Sequence, residues 1–243
     1  MKNLGPLVGE AVRFFWRTRS EQSAYQGTVS GVKDAGLRTE ATGGAQLDGF
    51  AKLVESLLTE AGIKFSEIHN GRSGVEIPGW FRPEKKWDLL VVSGGHLIAA
   101  VEFKAHIGPS FGNNYNNRTE EALGNATDVL AAYREGAFKP SARPWLGYLM
   151  LVEDSLKSQC PVRVAEPHFP VFDEFRDASY IKRYEVGLTK LLREQLYDGV
   201  CLITSPRDTG LEGAYNEPSE ELSFQHFATG LIGRAKAHVE GAR

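Results

Sequence analysis

The chain reads as an α/β protein in which helices cover both faces of a mixed central sheet. Short, almost wholly apolar runs predict strands buried on both sides: Leu89 to Val92, Leu97 to Val101, WLGYLMLVED at 145–154 and VCLITS at 200–205. Around them stand longer segments with apolar residues at helical spacing, over 47–62, 118–136 and 180–199. No internal repeat, low-complexity tract or linker interrupts this alternation, so a single domain is expected over residues 1–243.

Taken in order, the N-terminal MKNLGPLVGEAVRFFWRTR predicts an amphipathic helix with Val8, Val12, Phe15 and Trp16 on one face. Residues 18–46 are polar, rich in Gly, Ser and Thr and without a sustained period, which predicts a long loop. A loop of that length in a compact fold is usually functional or disordered. Leu47, Phe50, Leu53, Val54, Leu57 and Leu58 then mark a helix that ends at Gly62, with Asp48 at its start as a cap. GRSGVEIPGWFRPEKK, residues 71–86, is turn-rich. The next two apolar runs, joined through Ser93, Gly94 and Gly95, can pair as an antiparallel hairpin. Leu123, Ala126, Val129, Leu130 and Tyr133 form the apolar side of the 118–136 helix, and Asn117 with Glu120 resembles a capping box at its start. A strand at 145–154, a helix at 180–199, a strand at 200–205 and a helix at 217–237 complete the chain.

Composition narrows the function classes. At 243 residues the chain can bury a full core without staples, and 42% hydrophobic, 24% charged residues are ordinary for a globular protein. No stretch approaches the ~18 apolar residues of a membrane span, and the N-terminus lacks signal-peptide architecture, so no membrane partner and a cytoplasmic location are expected. Cys160 and Cys201 lie far apart with no CxxC or Cys/His cluster, so neither a disulfide framework nor a zinc site is supported. The net charge of −3 is not the strongly basic footprint of a simple nucleic-acid binder. The charge is uneven, however: residues 1–40 carry six Lys/Arg against four Asp/Glu, and residues 212–243 three against five.

The chemistry concentrates in KWDLLVVSGGHLIAAVEFKAH, residues 86–106. Charges at the ends of buried strands are costly unless they are paired or hold a cation. Residues two apart on a strand share a face, so Glu102 and Lys104 project together while Phe103 points the other way. An antiparallel hairpin would bring Asp88 beside Glu102. Two carboxylates and an ammonium in one small pocket suit Mg²⁺, which takes one or two carboxylates and keeps waters for a substrate phosphate. Lys104 would position or deprotonate an attacking water, which is chemistry for hydrolysing a phosphodiester. The same spacing also fits a simple Lys104–Glu102 salt bridge with Asp88 as a turn or cap residue.

This arrangement resembles the PD-(D/E)xK nuclease superfamily. VEFKAHIGPSFGNNYNNRTEEALGNATD (101–128) is similar to the corresponding segment of restriction endonucleases of the XhoI type. So are LDGF (47–50), IPGWFRPEKKWDLL (77–90), LMLVED (149–154), PHFPVF and ASYIKRYEV, which extend the likeness over 47–186. The resemblance implies a restriction-endonuclease-like core and a homodimeric, Mg²⁺-dependent type II enzyme. Such an enzyme cuts double-stranded DNA at CTCGAG, leaves 5′ overhangs with 5′-phosphate ends, and has a cognate DNA methyltransferase as its functional partner in the same cell. Asp88 and Glu102 stand where the family has its metal carboxylates, the Phe103 backbone carbonyl joins them as a metal ligand, and Lys104 stands at the catalytic lysine. The superfamily's proline is replaced by Trp87, as in the XhoI type; that proline makes no bond in the chemistry.

Asn113, Asn114, Asn116, Asn117 and Arg118 follow the catalytic strand and offer amide and guanidinium groups of the kinds that read adenine and guanine edges. Locally the same run supplies a helix cap. Arg82, Lys85 and Lys86 precede the first carboxylate and are candidates for phosphate contacts, against a solvated face. Glu55 and Asp48 on the second helix and His106 beyond Lys104 are accessory candidates; each also has a structural reading, as surface carboxylate, helix cap and packed histidine. Residues 18–46 are expected to wrap DNA. A structure-specific or repair nuclease of the same fold, or a non-cutting DNA-binding relative, are the competing functions.

Overall fold

The structure, a computed structural model, describes residues 3–30, 44–71 and 73–241. Five strands form the central sheet: β1 (Ile68–Asn70), β4 (Leu89–Ser93), β5 (His96–His106), β6 (Trp145–Glu153) and β7 (Gly199–Ser205), in the order β1-β4-β5-β6-β7. The first two junctions are antiparallel and the last two parallel, so the sheet is mixed as expected. Two short strands, β2 (Glu76–Ile77) and β3 (Lys85–Lys86), make a separate antiparallel ribbon within the turn-rich segment.

Helices α1 (Gly5–Ser30), α2 (Asp48–Glu60) and α5 (Phe224–Gly241) cover one face of the sheet. Val8, Val12, Phe15 and Trp16 of α1 are all buried there, with Leu89, Val91, Val101, Phe103, Leu149 and Ile203 from the strands. Helices α3 (Phe111–Arg134) and α4 (Tyr180–Arg193) cover the other face, against Leu90, Ala100, Tyr148, Met150 and Leu202. Alternation along each strand assigns neighbours to opposite cores, and helices on both faces explain why the strands read as continuous apolar runs. Among the described residues no helix is long and apolar enough to cross a membrane.

Several boundaries differ from expectation, each for a local reason. Residues 18–30 are not loop: they continue α1, since a polar segment without Pro carries no break signal. Residues 31–43, the remainder of the supposed wrapping arm but for the one-turn helix Gly44–Leu47, lie outside the described residues. Leu47 occupies the cap position of α2 without a side-chain cap, and Asp48 is its first residue rather than its cap. There its carboxylate complements the helix dipole.

The largest shift is at α3, which begins at Phe111, seven residues before the expected start. Ser110 is its cap residue, so Asn117 lies inside the helix and caps nothing. Asn disfavours helix interiors only mildly, and tertiary packing of Phe111 outweighs that preference. Helix α4 ends at Arg193 rather than 199, with Gln195 at positive φ just beyond it. The last helix starts at Phe224, not 217. The Glu217 carboxylate accepts a hydrogen bond from the Phe224 N–H at its first turn (2.6 Å).

Candidate active site

The β4–β5 hairpin, turned through Gly94 and Gly95 at positive φ, sets Leu89 opposite Val101. One step outward, Asp88 meets the strand that carries Glu102, Phe103 and Lys104. The Phe103 N–H donates to Asp88 Oδ2 at 2.7 Å, so the carboxylate takes over where the β-ladder stops. Lys104 donates to Glu102 Oε1, and its ammonium lies 4.0 Å from Asp88 Oδ2. The two carboxylates and the lysine predicted from the sequence therefore converge.

A fourth group joins them. Lys85, at the end of the β2–β3 ribbon, donates to Glu102 Oε2 at 2.8 Å and to the Lys86 carbonyl at 2.8 Å. Its ammonium also sits 4.6 Å from the centre of the buried Trp87 ring, a favourable cation–π placement. Glu102 is thus buried with an ammonium on each oxygen. That pairing is what allows an ionised carboxylate inside the fold.

The electrostatics follow from this crowding. Burial and the negative charge of Glu102 push the Asp88 carboxyl up to about 6, against the opposing pull of Lys104, the Phe103 N–H and Lys85. Burial disfavours the Lys104 ammonium, but Glu102 and Asp88 outweigh it and hold the Lys104 pKa above its ordinary value. Among the described residues no third acidic or imidazole group completes a metal-binding cluster. Glu55 is tied through its Oε2 to Asn70 Nδ2 at 2.7 Å, and Asn70 pairs with Leu89, next to Asp88. Asp48 stays at the start of α2.

His106 belongs to the core. It is buried, its Nδ1 lies 2.7 Å from the Tyr184 hydroxyl, and its ring centre is 4.7 Å from that of Phe111. Burial lowers its pKa to about 4, so the imidazole is neutral at physiological pH. Inside α3, Asn113, Asn116 and Asn117 are exposed, at the i, i+3, i+4 spacing of one helix face. Asn114 and Arg118 are half-buried beside that face, with Arg118 paired to Glu121 at 2.6 Å. Arg82 pairs with the buried Asp128 (Nε to Oδ2, 2.7 Å) and with Asn125 Oδ1 (2.8 Å), whereas the Lys86 side chain is half exposed.

Sequence reasoning missed Asp128, Asn125 and Tyr184. A signal existed for the first two: Asn125 and Asp128 are three apart and interleave with Ala122, Ala126 and Val129, the buried stripe of α3. Polar groups on such a stripe need partners.

Comparison with known proteins places the chain in a family. The family model described as restriction endonuclease XhoI matches residues 26–217. The type II restriction enzyme BstVI of Geobacillus stearothermophilus is 50% identical over 205 residues, 82% of this chain and 91% of that protein. The type II restriction enzyme XhoI of Xanthomonas vasicola is 46% identical over 187 residues, 76% of this chain and 74% of that protein. The type II restriction enzyme AbrI of Azospirillum brasilense is 48% identical over 160 residues, 66% and 71% of the respective chains. No solved structure matches. With the matched residues taking in both strands of the hairpin, Lys85 and the whole of α3, the chain belongs to the XhoI restriction endonuclease family.

Proposed function

We propose that this chain is a type II restriction endonuclease that hydrolyses double-stranded DNA at the palindrome CTCGAG, acting as a Mg²⁺-dependent homodimer. The observation that carries the reading is the convergence of Asp88, Glu102 and Lys104 at the open end of a hairpin, in a chain 46–50% identical to type II restriction enzymes. On this reading the mixed sheet and its flanking helices are the single PD-(D/E)xK nuclease core. A palindromic site is matched by a two-fold symmetric dimer. A methyltransferase in the same cell would protect the host's own sites.

The residues present fit a hard divalent cation. Two carboxylates share the Lys104 ammonium, Asp88 has its pKa raised by burial and then by the charge of Glu102, and a strand carbonyl follows between Glu102 and Lys104. Asp88, Glu102 and the Phe103 carbonyl would hold Mg²⁺, which when bound activates water and neutralises phosphoryl charge. Lys104 is held as an ammonium by its two carboxylate neighbours, so it can orient the attacking water and donate to a phosphoryl oxygen. Burial works against that charge, so any relief of the surrounding negative charge moves Lys104 toward a proton acceptor. Water oxygen bonds to phosphorus, the bond to the 3′ oxygen breaks, and the products are a 5′-phosphate and a 3′-hydroxyl.

Recognition falls to α3. Its first turn has no side-chain cap and no acidic residue, and the positive end of a helix dipole suits a phosphate. Asn113, Asn116 and Asn117 are exposed for DNA contacts, with Asn114 and Arg118 beside them. Lys86, whose side chain is half exposed, is the candidate for contact with a backbone phosphate.

The test is digestion of two plasmids that differ only in a CTCGAG site, with and without Mg²⁺, by the protein and by Lys104→Ala. Cutting limited to the site-bearing plasmid, and lost without metal or in the variant, is the expected result. Discrete cutting of both plasmids would move the recognition sequence. Binding without any cutting would make the chain a non-catalytic relative.

A further inference from the structure

Two large aromatic side chains stand in solvent eight and seven residues before Asp88: Trp80 is 54% exposed and Phe81 73%. The backbone beneath them is held rigidly. Both the Trp80 and the Phe81 N–H donate to Asp128 Oδ1, at 2.7 and 2.8 Å, and Arg82 binds the other oxygen of the same carboxylate. Asp128 is itself buried and is stabilised as an anion: burial opposes the charge, but the Phe81 N–H, Arg82 and the Trp80 N–H outweigh it. Gly79 leaves no room for a side chain, since a Cβ there would lie 2.4 Å from Asp128 Oδ2. A buried carboxylate with three donors thus mounts an apolar tip on α3, pointing outward.

An apolar pair so exposed raises the free energy of the isolated chain unless it meets a surface. Its position says which surface. The tip continues through the ribbon strand Lys85–Lys86 directly to the catalytic Asp88, and Asp128 ties it to the helix that presents the asparagine face. Cations, Arg82 and Lys86, follow the aromatics within six residues. Aromatic side chains interleaved with cations match stacked bases bordered by phosphates.

Resting on the nuclease reading above, we propose that Trp80 and Phe81 form a preformed wedge that packs against a base step of the bound duplex, beside the scissile phosphate. The wedge adds contact at a deformable step and thereby helps to choose where the duplex is held.

Trp80 makes this testable. Of the four tryptophans, Trp16, Trp87 and Trp145 are buried, so acrylamide quenching of indole emission reports chiefly on Trp80. The protein and its Trp80→Phe variant are titrated in calcium buffer with an end-labelled duplex containing CTCGAG, and label anisotropy records binding in the same samples. The expected result is loss of the acrylamide-accessible emission as the duplex binds, with no such change in Trp80→Phe. A folded Trp80→Ala/Phe81→Ala variant should bind the duplex roughly ten- to a hundredfold more weakly, the range for losing base–aromatic stacking. Bound duplex with Trp80 still fully quenchable overturns the wedge and leaves the nuclease reading intact. Trp80 shielded without DNA, in proportion to protein concentration, also overturns it, in favour of an interface between copies. Absence of duplex binding by a protein that cuts no plasmid removes the nuclease reading and the wedge together.

Discussion

The Lys85 ammonium lies 2.8 Å from Glu102 Oε2, on the carboxylate oxygen opposite the one that Lys104 takes. Both oxygens of the proposed metal ligand therefore already carry a positive group. Without a metal this pairing stabilises a buried carboxylate, and it makes Lys85 a competitor of any cation that binds Glu102.

Lys85→Met should therefore strengthen divalent binding by roughly tenfold, the loss of one charge-assisted hydrogen bond that the metal would otherwise have to displace. The same change should destabilise the metal-free protein by about 1–3 kcal/mol, because Glu102 keeps only Lys104. Calorimetric titration with Mn²⁺ and chemical unfolding in chelator measure the two effects. Weaker metal binding by the variant would show that Lys85 organises the site instead of competing for it.

The Asp88 carboxyl, raised to about 6, gives a second expectation. A ligand must be deprotonated to bind metal, so affinity should fall tenfold per pH unit below about 6 and be nearly flat above it. The stability effect has the opposite sense. Between the unfolded value near 3.8 and about 6 the folded state binds the extra proton, so this group's contribution is most favourable below that window and declines as pH rises through it. Asp88→Asn should then stabilise the metal-free protein at pH 7, by about 1 kcal/mol once solvent screening of the partly exposed carboxylate is allowed for. Unfolding curves of the two proteins at pH 5 and pH 7 test the sign: a variant less stable than the parent at pH 7 would refute it.

The hairpin and its three charged residues were legible because strand alternation and a Gly-Gly turn leave little geometric freedom. The second partner of Glu102 was not. Lys85 reaches it from the β2–β3 ribbon, whose two-residue strands carry no readable period. His106 shares the strand face of Lys104, yet it is covered by Phe111 and Tyr184, and the latter is 78 residues away. Alternation tells which way a side chain points and not what lies over it. The start of α3 was hidden because four asparagines, which favour turns locally, are carried into a helix anchored by one buried phenylalanine.

Asp128 offers a third test. Replacing it with Ala removes the acceptor of two backbone N–H groups and the partner of Arg82, which should cost about 2–4 kcal/mol and lower the melting temperature by roughly 5–10 °C. Asp128→Asn keeps an acceptor oxygen and should lose about half as much. Divalent affinity should be unchanged in both variants, since neither touches Asp88 or Glu102. Thermal unfolding with parallel metal titration checks both statements; an equal loss in the two variants would assign the role to charge alone.

The asparagines of α3 separate recognition from stability cleanly. Asn113 and Asn117 are exposed one turn apart, so their replacement empties no core. Alanine is the better helix former by roughly 0.5 kcal/mol per position. Asn113→Ala/Asn117→Ala should therefore melt at or above the parent temperature while binding a CTCGAG duplex at least tenfold more weakly, as expected when a base or phosphate contact is lost. Equal DNA affinity in a variant of raised stability would leave this helix face without a role in binding. Lower stability would mean that the two amides make structural contacts in the folded protein. Only loss of affinity at full stability assigns the exposed face of α3 to the DNA.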